Sequence, residues 1–192
     1  MAHAGNYPFY YYFTQHTQNQ LLYNPAYAGS TDKLNLHLRT LNGMYAVPDS
    51  KPIKILNLGY TAFDMPCKTI KGAWGIYTII DRPETPARFY NLSVGANYAY
   101  RLQIKDEHKL QLGLGLVYRR HYADITGLTF SFTPIPEPDP IYSSNYMDFN
   151  AGVWYQFKDL NVGVSATHFG SFYMAGQNDR FTNRYTPVFN LY

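Results

Sequence analysis

The sequence is short of most features that define the common protein classes. Charged residues make up 15% of its 192 positions, against roughly 25% in an ordinary soluble domain. Cysteine is almost absent: Cys67 stands alone, so this sequence holds no internal disulfide and no cysteine-built metal cluster. With Met65-Pro66 before it, Cys67 reads as a turn residue rather than a thiol nucleophile or a lipid-anchor site. No run of about 20 apolar residues occurs, which excludes a membrane-spanning helix. The Lys and Arg are scattered and the net charge is only +3, so no basic stripe points to nucleic acid. A positively charged start and an apolar stretch are both missing from the N-terminus, so no complete signal peptide is visible. Ala2-His3-Ala4 before Gly5 matches an A-x-A cleavage site, compatible with the tail of a removed export signal and equally with chance.

Aromatic residues are abundant instead: 20 Tyr, 12 Phe and 2 Trp, 18% of the chain. That composition excludes intrinsic disorder and argues against a coiled coil. The mean hydropathy of −0.34 suits a soluble protein. It suits a transmembrane β-barrel as well, because barrel strands alternate lipid-facing and lumen-facing residues.

Residues 1–33 are rich in Tyr, Gln and Asn and lack a clean period, so an irregular or briefly helical segment is expected there. From Leu34 the period becomes two, the mark of strands with one apolar face. Leu34, Leu36 and Leu38 oppose Asn35, His37 and Arg39. A second run, 53–64, places Leu56, Leu58, Tyr60 and Ala62 together. A third, 73–81, is apolar on both sides and leaves its orientation open. In the fourth, 88–104, the face of Leu92, Val94, Ala96, Tyr98 and Tyr100 opposes Asn91, Ser93, Gly95, Asn97 and Arg101. In the fifth, 109–122, Leu110, Leu112, Leu114 and Leu116 oppose Gln111, Gly113, Gly115, Arg119 and His121. The sixth, 146–157, sets Met147, Phe149, Ala151 and Val153 against Asp148, Asn150, Gly152 and Trp154. The seventh, 160–168, sets Leu160, Val162 and Val164 against Asn161, Gly163 and Ser165. An eighth run begins near Arg184. Alternation over such lengths would smear apolar groups around a helix.

The connections sort by parity. Residues 105–108 and 158–159 are short polar turns. The links after odd-numbered strands are longer: 47–52, 82–87 and Ala123 to Asn145, which hold Pro, and Gly170 to Asn183. Outer-membrane barrels have short turns at one rim and long loops at the other, whereas a β-sandwich has no reason to sort loops this way. Several strands reach the 9–11 residues, or about that, needed to cross a bilayer. Tyr98, Tyr100, Tyr118, Tyr122 and Tyr155 fall where interface girdles would lie. The expected fold is therefore all-β, an antiparallel transmembrane barrel over 34–192 preceded by a periplasmic or plug segment over 1–33. A soluble Tyr-rich β-module is the alternative.

The face opposite the apolar one is the expected lumen. It carries Arg39, Arg101, Arg119, His121 and Asp148, which would pair with one another because an unpaired buried charge is costly. They read as a structural interior, or else as a filter or binding site. No sequence signature of a catalytic, metal or nucleotide site is present. The six His lack metal-ligand spacing, Gly113-Leu114-Gly115 lacks a third Gly, and Asn91-Leu92-Ser93 falls in a strand. Glu137 and Asp139 read as a solvated loop. No enzyme activity and no cofactor are expected.

One family is visible in the motifs. Gln20-Leu21-Leu22-Tyr23-Asn24-Pro25-Ala26-Tyr27-Ala28-Gly29-Ser30 resembles the N-terminal motif of the PorP/SprF proteins, and Tyr12-Phe13-Thr14-Gln15 their F-S-Q opening. Gly72-Ala73-Trp74-Gly75-Ile76-Tyr77 with Asp81 is similar to their G-x-G-x-x-x-x-x-D strand. Tyr98-Ala99-Tyr100-Arg101-Leu102 and Leu110-Gln111-Leu112-Gly113-Leu114 resemble their Y-A-Y-R hairpin. The resemblance implies a non-enzymatic outer-membrane barrel of the type IX secretion and gliding machinery of Bacteroidetes. Its partners would be a secreted adhesin with a C-terminal sorting domain, periplasmic secretion-system lipoproteins and outer-membrane lipid. The residues it carries over are Asn24, Pro25, Ala26, Tyr27, Ala28 and Gly29, with no chemical role attached. It also implies a larger barrel than the eight strands seen here, so these are expected to be part of one. The loops 123–145 and 170–183 and the N-terminal segment are the expected contact surfaces. A porin-like channel is the competing reading. A small-barrel lipase or acyltransferase would need a Ser or His with a base at the outer rim.

Overall fold

The computed structural model describes residues 19–45, 53–82, 88–105, 107–124, 126, 141–177 and 187–192. They form a single antiparallel sheet of eight strands in chain order: β1 (Asn35–Tyr45), β2 (Ile53–Cys67), β3 (Gly72–Asp81), β4 (Arg88–Lys105), β5 (His108–Asp124), β6 (Ile141–Phe157), β7 (Leu160–Gln177) and β8 (Val188–Leu191). The fold is all-β, as the period-two pattern predicts. β1 and β8 are the sheet edges and do not pair with each other, so the sheet is not closed. Among the described residues no helix is long and apolar enough to cross a membrane.

Register explains which face each residue takes. Asn97 on β4 lies opposite Gly115 on β5, and Gly115 opposite Asn150 on β6. The ladder therefore keeps the polar and glycine positions together on an inner face. The opposite, outer face is apolar: Leu36, Leu38, Leu114, Val164, Phe172 and Phe189 are exposed. Outer aromatics gather near the strand ends. Phe63 and Trp74 touch at 5.5 Å near the short-turn end, where Tyr98, Tyr100 and Tyr155 also lie; Tyr118 and Tyr122 lie near the other end.

The parity of the connections holds. β2–β3, β4–β5 and β6–β7 are joined at one end by residues 68–71, 106–107 and 158–159, while 46–52, 82–87, 125–140 and 178–187 lie at the other. Pro134, Pro136, Glu137, Pro138, Asp139 and Pro140 fall outside the described residues.

Three expectations need correction. First, the apolar face of β2 points inward: Leu58, Tyr60 and Ala62 are buried, because the N-terminal segment covers this part of the sheet. The side chain of Leu56 lies outside the described residues. Second, β3 is no longer ambiguous, since Ala73, Tyr77 and Ile79 are buried inward while Ile76 and Ile80 are exposed. Third, two loops are shorter than expected. β5 runs to Asp124, β6 starts at Ile141, and β7 continues through 170–177. The alternation of β7 is hidden because its register against β6 shifts twice, between Asn145 and Tyr146 and between Phe149 and Ala151. Each bulge resets which face the next side chain takes.

Candidate functional site

The inner face is occupied by the chain's own N-terminal segment. α1 (Gln20–Tyr23) is a single turn, followed by a 3-10 turn over Pro25–Tyr27. Leu21, Leu22, Tyr23, Asn24, Ala26 and Ala28 are buried. Burying each leucine contributes about 1.5–3 kcal/mol.

Glycines in the sheet make room for this segment. A Cβ on Gly113 would collide with the backbone of Pro25 and Ala26, and one on Gly152 with the amide of Asn24. On Gly75 it would lie 2.9 Å from Leu21 Cδ1, and on Gly163 2.9 Å from Asn24 Nδ2. The glycines of β3, β5 and β6 thus form a furrow that seats the segment, its backbone at Gly113 and its side chains at Gly75 and Gly152, while Gly163 on β7 makes room first for Trp154 and then for Asn24.

Each motif residue has a physical part in this packing. Asn24 Oδ1 accepts from the Ala26 N–H at 2.9 Å, capping the 3-10 turn, and its Nδ2 donates to the Val153 carbonyl at 3.1 Å. Pro25 begins the turn, where its missing N–H costs nothing. Ala26 is fully buried over Gly113, where a larger side chain has no room. Tyr27 meets Trp154 edge to face at 5.2 Å. The Ala28 carbonyl accepts from Gln111 Nε2 at 3.1 Å. Gly29 has φ +64, and its N–H donates to Asp64 Oδ2 at 2.8 Å. Asn97 Nδ2 donates to the Leu21 carbonyl at 2.8 Å. Inward side chains thereby satisfy backbone groups that burial would otherwise leave without water or a partner.

Asn24→Ala should destabilise the protein by about 1–3 kcal/mol, because it removes the cap and leaves a buried N–H and C=O short of partners. Asn24→Asp should fare no better, since a carboxylate oxygen would then face the Val153 carbonyl. Urea unfolding in detergent micelles checks both, and full stability of Asn24→Asp would contradict this account.

Towards the long-connection end lies a buried charge cluster. Arg119 on β5 and Asp148 on β6 are both fully buried, and Arg119 Nε donates to Asp148 Oδ2. His168 Nδ1 lies 2.8 Å from the same oxygen, and Ser171 Oγ donates to Asp148 Oδ1. Arg119 also reaches Ser93 Oγ at 3.3 Å. His168 has φ 59, and its N–H donates to Asn150 Oδ1 at 3.0 Å. It sits in the second irregularity of β7, which turns both Thr167 and His168 inward.

At the short-turn end Asp32 joins the segment to the sheet. Lys109 Nζ lies 2.6 Å from Asp32 Oδ2, and Arg101 pairs with Oδ1. Burial acts to raise the Asp32 pKa, but the hydrogen bonds from Lys109 and Arg101 outweigh it and hold the carboxyl below its usual range. The sign follows from linkage: this contribution is complete above the unfolded value and disappears as pH falls through the folded one.

Of the residues singled out in the sequence, the structure brings Arg119 and Asp148 into direct contact. His121 lies one inward position from Arg119, with Nδ1 2.9 Å from Asn91 Oδ1. Arg101 stands apart at the short-turn rim, and Arg39 is half-buried on β1 opposite Tyr60. Sequence reasoning missed Asp32, Asp64, Lys109, His168 and Ser171. Asp64 had a signal, because it continues the apolar face of Leu58, Tyr60 and Ala62 and so needed a buried partner. Gly170 marked a bulge beside His168.

The family model described as type IX secretion system membrane protein PorP/SprF matches residues 7–192. The chain belongs to this family. No curated protein and no solved structure matches it. As a PorP/SprF member it is a membrane protein of the type IX secretion system, and the motif that fills its inner face is the one that carried the sequence resemblance.

Proposed function

We propose that this chain is an outer-membrane barrel component of the type IX secretion machinery that acts as a scaffold rather than as a pore or an enzyme. In this reading residues 34–192 supply eight strands of a barrel wall and residues 1–33 form a plug, of which 19–33 are described. The observation that carries it is the occupied inner face: Leu21 to Gly29 fill the space that a diffusion channel would keep open. Membrane placement is supported by the apolar outer face, the aromatic residues near both strand ends and the sorting of short and long connections by end.

The scaffold holds a secreted protein with a C-terminal sorting domain at the cell surface and couples it to periplasmic lipoproteins of the machine. Gliding and adhesin attachment follow from the same family reading. The long connections, with 125–140 the longest, are the surface available to the exported partner, and the short-turn end faces the periplasm. The Ser171–Asp148–His168 geometry does not supply a hydrolase. Serine and histidine both contact the aspartate, whereas an activated nucleophile needs its hydroxyl bonded to the base.

Single-channel recording in planar bilayers tests this function. Wild-type protein should give no steady open conductance at moderate voltage. A stable ohmic conductance from folded protein would replace the scaffold with a porin-like channel.

A further inference from the structure

The short-turn rim carries a cationic cavity beside the Asp32 anchor, and its third cation, Lys71, takes no part in that anchor. The cavity has a volume of about 500 Å³ and is lined by Lys71, Arg101, Lys109, Asp32 and Leu102 among others. Its balance is three cations to one carboxylate. Asp32 engages Arg101 and Lys109, while Lys71 forms no ion pair among the described residues.

Two of these residues are held in a backbone conformation that side chains rarely adopt. Asp32 has φ 57 and Lys71 has φ 50. Such strain persists only where the surroundings fix it, and it gathers at sites that bind. The fixing contacts are present: the Arg101 N–H donates to the Lys71 carbonyl at 3.0 Å, and Tyr98 Oη donates to the Ile70 carbonyl at 3.0 Å.

The position of the cavity selects the ligand. Arg101 and Lys109 lie on the inner face, but Leu102 lies on the outer one, beside Tyr100 and two residues beyond it Tyr98 is also exposed. The cavity therefore opens where the outer aromatic residues end. In a membrane that level is occupied by lipid head groups. Its volume exceeds what a bare anion needs and falls in the range of about 300–1,000 Å³ typical of ligand sites.

We propose that Lys71, Arg101 and Lys109 bind the phosphate group of an anionic membrane phospholipid. This rests on the membrane reading above. Asp32 offsets one of the three positive charges and leaves two; Lys71 is the cation it does not pair with, Arg101 and Lys109 supply further donors, and a choline head group is disfavoured by the net positive charge.

The full chain in zwitterionic detergent should bind short-chain phosphatidylglycerol saturably and more tightly than phosphatidylcholine. Lys71→Gln should weaken that binding about fivefold, the usual contribution of one cation near a lipid surface. Lys71→Arg should restore it. Asp32→Asn, which releases two cations, should tighten it. Equal binding of the two lipids, or no effect of Lys71→Gln, overturns the proposal. Binding of inorganic phosphate without binding of phosphatidylglycerol overturns the lipid as the source. Heat-modifiable migration after insertion into phosphatidylcholine vesicles tests the membrane reading separately. Insertion without phosphatidylglycerol preference removes the pocket alone, and failure to insert overturns the membrane reading and the lipid source with it.

Discussion

Gly113→Ala should be among the most damaging single-methyl additions in this protein. The new Cβ would enter the backbone of Pro25 and Ala26 rather than the end of a flexible side chain. The strand cannot yield easily, because Gly113 is paired on both sides in the middle of the sheet. Overpacking of this kind costs about 1–3 kcal/mol. Complete expulsion of the segment would forfeit the burial of Leu21 and Leu22, about 1.5–3 kcal/mol each, as well as the hydrogen bonds from Asn97, Gln111 and Asn24. A local shift around Pro25 is therefore cheaper than expulsion, and the expected loss is of the overpacking size. Gly59→Ala is the control, because its Cβ would come no closer than 4.0 Å to the Ile80 carbonyl oxygen and would sit in open space. Urea unfolding in micelles should separate the two clearly. Equal stabilities would mean that the furrow does not seat the segment.

The same furrow shows what could be read from the sequence and what could not. Strand number, order and the sorting of connections were legible because period-two alternation and polar turns are local properties. So was the polar face of Arg119 and Asp148, since both lie on strands with regular alternation. The orientation of β2 was not legible. Its apolar face meets the N-terminal segment, and only the three-dimensional packing shows that an inner face can be apolar there. The glycines of β5, β6 and β7 were visible as small residues on one face, but their occupant was separated from them by more than eighty positions. The extension of β7 was obscured for a different reason. Two bulges reset its phase, so Phe169, Phe172 and Tyr173 lose the alternation that would have marked them as strand. His168 and Ser171 were missed with it.

That bulge gives the buried cluster its largest expected response. Asp148→Ala should destabilise the protein by about 3–5 kcal/mol, because it deprives the fully buried Arg119 of its countercharge. Asp148 also receives Ser171 and faces His168, so one carboxylate links β5, β6 and β7. Replacing both partners, as Arg119→Met with Asp148→Leu, should cost less than Asp148→Ala alone, since removing a buried pair avoids the stranded charge. A double-mutant cycle on Arg119→Met and Asp148→Leu in urea should give a coupling of about 0.5–3 kcal/mol in the direction of mutual stabilisation. Additive losses would mean that the two side chains are neighbours without being partners. The bulge provides a second reading of the same change. His168 occupies the left-handed region, which costs about 1–2 kcal/mol for a side chain, and the Asp148 contact offsets that strain. Without it the His168 N–H, now donating to Asn150 Oδ1 at 3.0 Å, should exchange with deuterium faster than amides in the regular part of β7 such as Val164. If only global stability fell while that amide kept its relative protection, Asp148 would serve the Arg119 charge alone, and the shape of the bulge would have to come from Asn150.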